Sequence, residues 1–127
     1  MRLEEHINLL SQSWKKRYKC RVMKVGLSLG LTCPNRLNGG CIFCLPTTFT
    51  DEINDLKALT LLEQIAYLLP KIKTKTKTNK FIAYFQDETS TACNPKYLKE
   101  SLAIIEKSNI FEEVIISTRP DYLNHEF

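Results

Sequence analysis

Phe81-Ile82-Ala83-Tyr84-Phe85 is an apolar run set between two helix signals, and that setting decides the fold. Upstream, Thr60 and Glu63 have capping-box spacing, in which each side chain satisfies an orphan backbone donor of the first turn. Leu61, Leu62, Ile65, Leu68 and Leu69 then supply an apolar helical face, predicted to end or kink at Pro70, which has no N–H to donate. Downstream, Asn94-Pro95 starts a second helix, with Asn as N-cap and Pro at the first helical position. Tyr97, Leu98, Leu102 and Ile105 give that helix a buried side, and Asn109 closes it. Val114-Ile115-Ile116-Ser117 follows as a strand. Before Thr60, Val22, Val25, Leu27 and Leu29 mark a buried strand ending near Gly30, preceded by a short helix with Leu3, Ile7, Leu10 and Trp14 on one face. Strand, helix, strand, helix, strand at intervals of about 30 residues predicts an α/β fold, its parallel strands joined by crossovers.

The chain has 127 residues, 43% hydrophobic and 25% charged, the composition of a globular protein. No apolar run reaches the roughly 20 residues that span a membrane. Met1-Arg2-Leu3-Glu4-Glu5-His6 lacks the plan of a signal peptide, so a cytoplasmic location is expected. Five cysteines are an odd number, and a reducing compartment disfavours disulfides, which leaves a metal or redox role for any that cluster. The net charge of +4 permits contact with a polyanion without demanding it. Much of it lies in Lys71-Ile72-Lys73-Thr74-Lys75-Thr76-Lys77-Thr78-Asn79-Lys80, read as a solvated loop in preference to a nucleic-acid contact.

The cysteines do cluster. Cys33-Pro34-Asn35-Arg36-Leu37-Asn38-Gly39-Gly40-Cys41-Ile42-Phe43-Cys44 has the spacing C-x7-C-x2-C. Three soft sulfur ligands on a loop loosened by Gly39-Gly40 suit zinc, copper(I) or an iron–sulfur cluster. A structural zinc site usually closes with four ligands. This sequence has one C-x2-C pair, no second pair and no nearby histidine. Three cysteines also suit a cubane with one iron open to a ligand from outside the protein.

Cys33-Pro34-Asn35-Arg36 followed by Gly39-Gly40-Cys41-Ile42-Phe43-Cys44 resembles the cluster loop of the YhcC-type radical S-adenosylmethionine (SAM) proteins, a family distantly similar to the radical SAM domain of the elongator catalytic subunit. The resemblance extends to Arg21-Val22-Met23-Lys24-Val25, to Phe81-Ile82-Ala83-Tyr84-Phe85-Gln86 and to Ser117-Thr118-Arg119-Pro120-Asp121-Tyr122. It implies a 4Fe–4S cluster on Cys33, Cys41 and Cys44, with SAM on the fourth iron and reductive cleavage to a 5′-deoxyadenosyl radical. It places Phe43 beside the adenine, Gln86 and Asp87 near the methionine amino group, and Ser117 and Arg119 facing the same cavity. A reducing electron donor is implied as partner, and RNA, tRNA included, as a substrate class. The fold implied is the N-terminal portion, about three βα units, of a partial parallel barrel. Residues 1–20 then form a helical leader and residues 21–127 an incomplete radical SAM core. In such barrels function gathers at the C-terminal ends of the strands, where the cysteine loop, Gln86 and Ser117–Arg119 all fall.

A full eight-unit barrel needs about 250 residues, so the chain is expected to be a fragment, a truncated frame, or a piece completed by the missing part of the barrel. Alone it is expected to cleave SAM poorly. Simpler readings accompany each assignment. Gln86 caps a loop; Arg119 pairs with Asp121 or Asp87; Phe43 packs. Cys20 and Cys93 are isolated, though either would serve as a fourth zinc ligand, and His6 and His125 carry no role. The competing functions are a zinc-stabilised module that holds RNA through the lysine stretch, and an inactive remnant.

Overall fold

The computed structural model describes residues 7–44, 55–86 and 88–125. Three strands, β1 (Val22–Leu27), β2 (Lys80–Phe85) and β3 (Phe111–Ile116), form a parallel sheet in the order β1-β2-β3. Helix α1 (Leu10–Tyr18) precedes β1, and a short helix, α2 (Pro34–Leu37), lies in the cysteine loop. Helix α3 (Leu61–Lys75) connects β1 to β2, and α4 (Pro95–Ser108) connects β2 to β3. The chain is thus mixed α/β with a three-stranded parallel sheet. Among the described residues no helix is long and apolar enough to cross a membrane.

Alternation along the strands sends successive side chains to opposite faces. Val25 and Leu27 of β1, and Phe81, Ala83 and Phe85 of β2, join Leu61, Ile65 and Leu68 of α3 and Leu98 and Ile105 of α4 in one core. On the other face, Val22 and Ile82 meet Trp14 of α1, with Tyr18 and Ile115 packed alongside. Each fully buried side chain of this size contributes about 1.5–3 kcal/mol, so the double-sided burial of β2 makes it the anchor of the molecule.

The capping box at Thr60 forms as expected: Thr60 Oγ1 accepts from the Glu63 N–H and Glu63 Oε2 accepts from the Thr60 N–H at 2.8 Å. Asn94 accepts from the Lys96 N–H at 2.9 Å, and Asn109 ends α4 in the left-handed region at φ 52°. Elsewhere the expectations need correction. The first helix begins at Leu10, with Leu9 extended; Ile7 precedes it and is exposed, and Leu3 lies outside the described residues. Helix α3 does not end at Pro70 but runs through it to Lys75; Pro70 and Ala66 both lie on the exposed face, where the Ala66 carbonyl that loses its proline donor is accessible to solvent. The first half of the lysine stretch is therefore helical, and residues 76–79 alone form the loop.

Leu62 is exposed, and Gln64 is buried in the face expected to be apolar throughout. Its side chain accepts from the Ser28 N–H at 2.8 Å and donates to the carbonyls of Ser28 at 3.0 Å and Leu59 at 2.9 Å. β1 ends at Leu27, because Gln64 takes the Ser28 backbone out of the ladder. β3 starts at Phe111, three residues before the expected Val114. Its two carboxylates are tolerated because Glu112 pairs with Lys80, and Glu113 with Arg17 and the Tyr18 hydroxyl. Tyr97 is more exposed than expected, yet its hydroxyl donates to the Leu29 carbonyl at 2.8 Å.

Candidate functional site

Parallel strands deliver their following loops to one end of the sheet, and those loops meet there. The Ser117 N–H donates to the Phe85 carbonyl at 2.9 Å, and the Ser90 N–H donates to the Ser117 carbonyl at 3.1 Å. The Thr91 and Thr118 hydroxyls bond to each other. These contacts extend the β2–β3 pairing past the strands, and Ser117 and Thr118 line a cleft of about 480 Å³. Cys33, Cys41 and Cys44 line it, together with Phe43, Gln86, Ser117 and Arg119. The structure therefore brings all three cysteines to one opening with the four other described candidates. Asp87 lies outside the described residues.

Local sequence explains how the cysteine loop is held. Cys33 is the extended residue before α2, Pro34 takes the first helical position, and the Arg36 N–H donates to the Cys33 carbonyl at 3.0 Å. The Asn38 and Gly40 N–H groups both donate to the Asn35 carbonyl, at 3.1 and 2.8 Å. That double turn requires positive φ at Gly39 (97°) and Gly40 (78°), which glycine adopts without a Cβ clash. A last turn joins the Cys44 N–H to the Cys41 carbonyl at 2.9 Å.

Polar groups surround the thiols. Cys33 Sγ lies 3.1 Å from Thr89 Oγ1. Asn35 Nδ2 donates to Cys41 Sγ at 2.9 Å, and Arg119 Nη1 reaches the same sulfur at 3.7 Å. The Arg36 guanidinium interacts with Cys44. Burial opposes ionisation of Cys33, but the Thr89 hydroxyl and the amides of Asn35 and Arg36 favour the thiolate and hold its pKa below the usual thiol value. Arg36 Nε is buried with no hydrogen-bond partner among the described residues. Donors directed at sulfur and an orphaned guanidinium N–H fit a thiolate-bound, anionic group. The thiols are not gathered as they stand: among the described residues no three Cys, His, Asp or Glu side chains form a group able to hold a metal ion. Cys44 is exposed, whereas Cys33 and Cys41 are half-buried.

The remaining candidates divide. Arg119 makes a two-pronged pair with Asp121, at 2.9 and 2.8 Å, as well as its contact with Cys41, so its pairing and cavity-facing roles coexist. Gln86 is exposed on the cleft wall, and Ser117 is fixed by its backbone. Phe43 is 86% exposed beside an equally bare Ile42, so it forms no core under the cysteines. Cys20 and Cys93 do not line this cleft.

Sequence reasoning passed over Glu88. Its side chain is 4% exposed and accepts from the Cys33 N–H (2.6 Å), Arg36 Nη1 (2.6 Å) and Lys57 Nζ (2.7 Å). The available signal was an acidic residue just past the end of a strongly apolar strand, followed by Thr89-Ser90-Thr91. Thr89 and Asn35, both in contact with thiols, were passed over as well.

No family model matches the chain, and no solved structure matches it. Curated proteins do. The uncharacterised protein MJ0486 of Methanocaldococcus jannaschii is 37% identical over 116 residues, covering 88% of this chain and 35% of that protein. YhcC of Escherichia coli is 30% identical over 126 residues, covering 95% and 39%. The uncharacterised protein YtqA of Bacillus subtilis is 30% identical over 124 residues, covering 94% and 38%. The chain thus spans little more than a third of the length of the curated relatives it matches.

Proposed function

We propose that this chain is the cluster-binding part of a radical SAM enzyme and that its sheet is the opening portion of a partial parallel barrel. The observation that carries the reading is the meeting of Cys33, Cys41 and Cys44 with Gln86, Ser117 and Arg119 in one cleft at the carboxyl ends of three parallel strands. The similarity to YhcC is consistent with the motif resemblance, although that protein's name carries no chemistry.

Cys33, Cys41 and Cys44 hold a 4Fe–4S cluster in this proposal, leaving one iron for the amino and carboxylate groups of SAM. When bound and reduced by an electron donor, that pair supplies a carbon-centred radical for hydrogen abstraction. The protein's own contribution is placement. Asn35 and Arg119 direct hydrogen bonds at Cys41, and Thr89 faces Cys33, so both sulfurs are oriented by polar neighbours. The exposed Phe43 ring offers a flat surface for adenine, and Gln86 a polar group for the methionine end. An RNA substrate follows from the family resemblance alone.

The test is anaerobic reconstitution followed by iron and sulfide analysis with an absorption spectrum. About four irons and four sulfides per chain, with a broad band that bleaches on reduction, are expected. Cys41→Ala is expected to abolish the cluster, and a full cluster in that variant sinks the ligand assignment. Zinc alone on a folded chain replaces this proposal with a zinc-stabilised binding module.

A further inference from the structure

Glu88 is a carboxylate almost out of water, and such a group persists only where hydrogen bonds and opposite charge compensate its lost hydration. Its three partners are informative. Cys33 and Arg36 belong to the cysteine loop, and Lys57 to the segment that leads into α3. They stand 55, 52 and 31 residues away in sequence, so one side chain ties the exit of β2 to both segments.

We propose that Glu88 is the positioning residue of the cysteine loop, the clamp that sets Cys33 and Arg36 for metal capture. Oε2 takes the Cys33 N–H and so orients the first cysteine's backbone, leaving its sulfur to the Thr89 hydroxyl. Oε1 takes Nη1 of Arg36, which holds a guanidinium that also engages Cys44 and whose buried Nε has no partner among the described residues. Glu88 thereby steadies one end of the loop and the cation serving its other end. It also balances the charge of Arg36 and Lys57 beside the cluster. This inference rests on the cluster reading above.

The test has two arms. In the first, the reduced, metal-free chain is treated with iodoacetamide, and alkylation of each cysteine is followed by peptide mapping in the wild type, Glu88→Gln and Arg36→Gln. The two substitutions push Cys33 ionisation in opposite directions, since one removes a nearby negative charge and the other a positive one. Only a loosened loop speeds alkylation in both. Faster Cys33 alkylation in both variants, with Cys93 unchanged, is expected; opposite changes, or none, overturn the clamp. Arg36 lies on the loop, outside both cores, so it carries this arm if Glu88→Gln fails to fold.

In the second arm, iron affinity on reconstitution is expected to fall about 10- to 100-fold in Glu88→Gln, the usual effect of losing a group that orients a ligand. The midpoint potential of any cluster that forms should shift positive, because a negative charge beside the cluster, which disfavours its reduction, is removed. Equal affinity and an unchanged potential overturn the proposal. A wild-type chain that takes up no iron sinks the cluster reading instead, and the alkylation rates then decide alone whether Glu88 holds the loop.

Discussion

At the scale of single residues, Gln64 and Glu88 do related work by opposite means. Gln64 is a neutral amide, 1% exposed, that satisfies both the N–H and the carbonyl of Ser28 just where β1 hands over to the cysteine loop. Glu88 accepts from the Cys33 N–H alone and does so with a charge, the Cys33 carbonyl being taken by the Arg36 N–H. A buried backbone pair that loses its partner keeps its full desolvation penalty, so Gln64→Leu, close in size and without donors, is expected to destabilise the chain by about 2–3 kcal/mol. Denaturant unfolding measures this, and a loss below about 0.5 kcal/mol would show that water replaces the amide. Neither residue stands out in the sequence. Gln64 sits within a run of leucines that predicts a helix whatever the polar position does, and its value comes from Ser28, 36 residues earlier. The cysteines, in contrast, are legible at sight, because thiols gathered within twelve residues have few other purposes.

At the scale of elements, α3 carries both a strong start and an internal fault. The Thr60–Glu63 box was readable because capping acts over three residues. The helix does not end at Pro70, because the effect of an interior proline depends on which face of the helix it occupies, and that is set by the sheet. Interior proline costs a helix about 3 kcal/mol, and its stiffening of the unfolded chain returns up to about 1 kcal/mol. Pro70→Ala should therefore stabilise the chain by about 2 kcal/mol, measured by the shift in urea midpoint at constant slope.

Helix α1 depends on charge. The Tyr18 hydroxyl above all, with Arg17 adding to it against the effect of burial, holds the Glu113 carboxyl below the usual carboxylate range. A carboxylate with a depressed folded-state pKa contributes stability that is fully present above its unfolded value and is lost as pH falls through the folded one. Amide exchange in α1, corrected for the intrinsic pH effect, is thus expected to be slow at about pH 7 and to gain on that of β2 toward about pH 3. Equal protection of α1 at both pH values would mean that Trp14 alone docks it.

At the scale of the whole molecule, the sheet is unevenly finished. Helices α3 and α4 cover one face, whereas on the other α1 reaches Val22, Ile82 and Ile115, and Lys24 lies over the Tyr84 ring at 4.6 Å. β1 and β3 are both edge strands among the described residues, and beside β3 a groove of about 630 Å³ is lined by Leu102, Ile105, Phe111 and Ile116. An edge strand recruits other chains through its unpaired backbone groups, and an added charge on it blocks them. The purified 127-residue chain is expected to self-associate as concentration rises, and Val114→Lys on the edge strand to reduce that. Sedimentation velocity distinguishes the two, and equal association of both chains would place the contact elsewhere.

The sequence by itself determined the elements whose causes are local. The order of strands and helices follows from periodicity, the start of α3 from a capping box, the span of α4 from Asn94-Pro95 and Asn109, and the ligand candidates from cysteine spacing. These signals act within a few residues, so no partner needs to be known. Tertiary structure decided what depends on distant neighbours. It fixed where β3 begins, since Glu112 and Glu113 are strand residues only beside Lys80, Arg17 and Tyr18. It decided that Pro70 faces water, and that Glu88 is a buried carboxylate of the site. The physical reason is the same each time: the free energy of a polar or conformationally awkward group is set by what the fold puts against it, and folding brings together residues that the sequence separates.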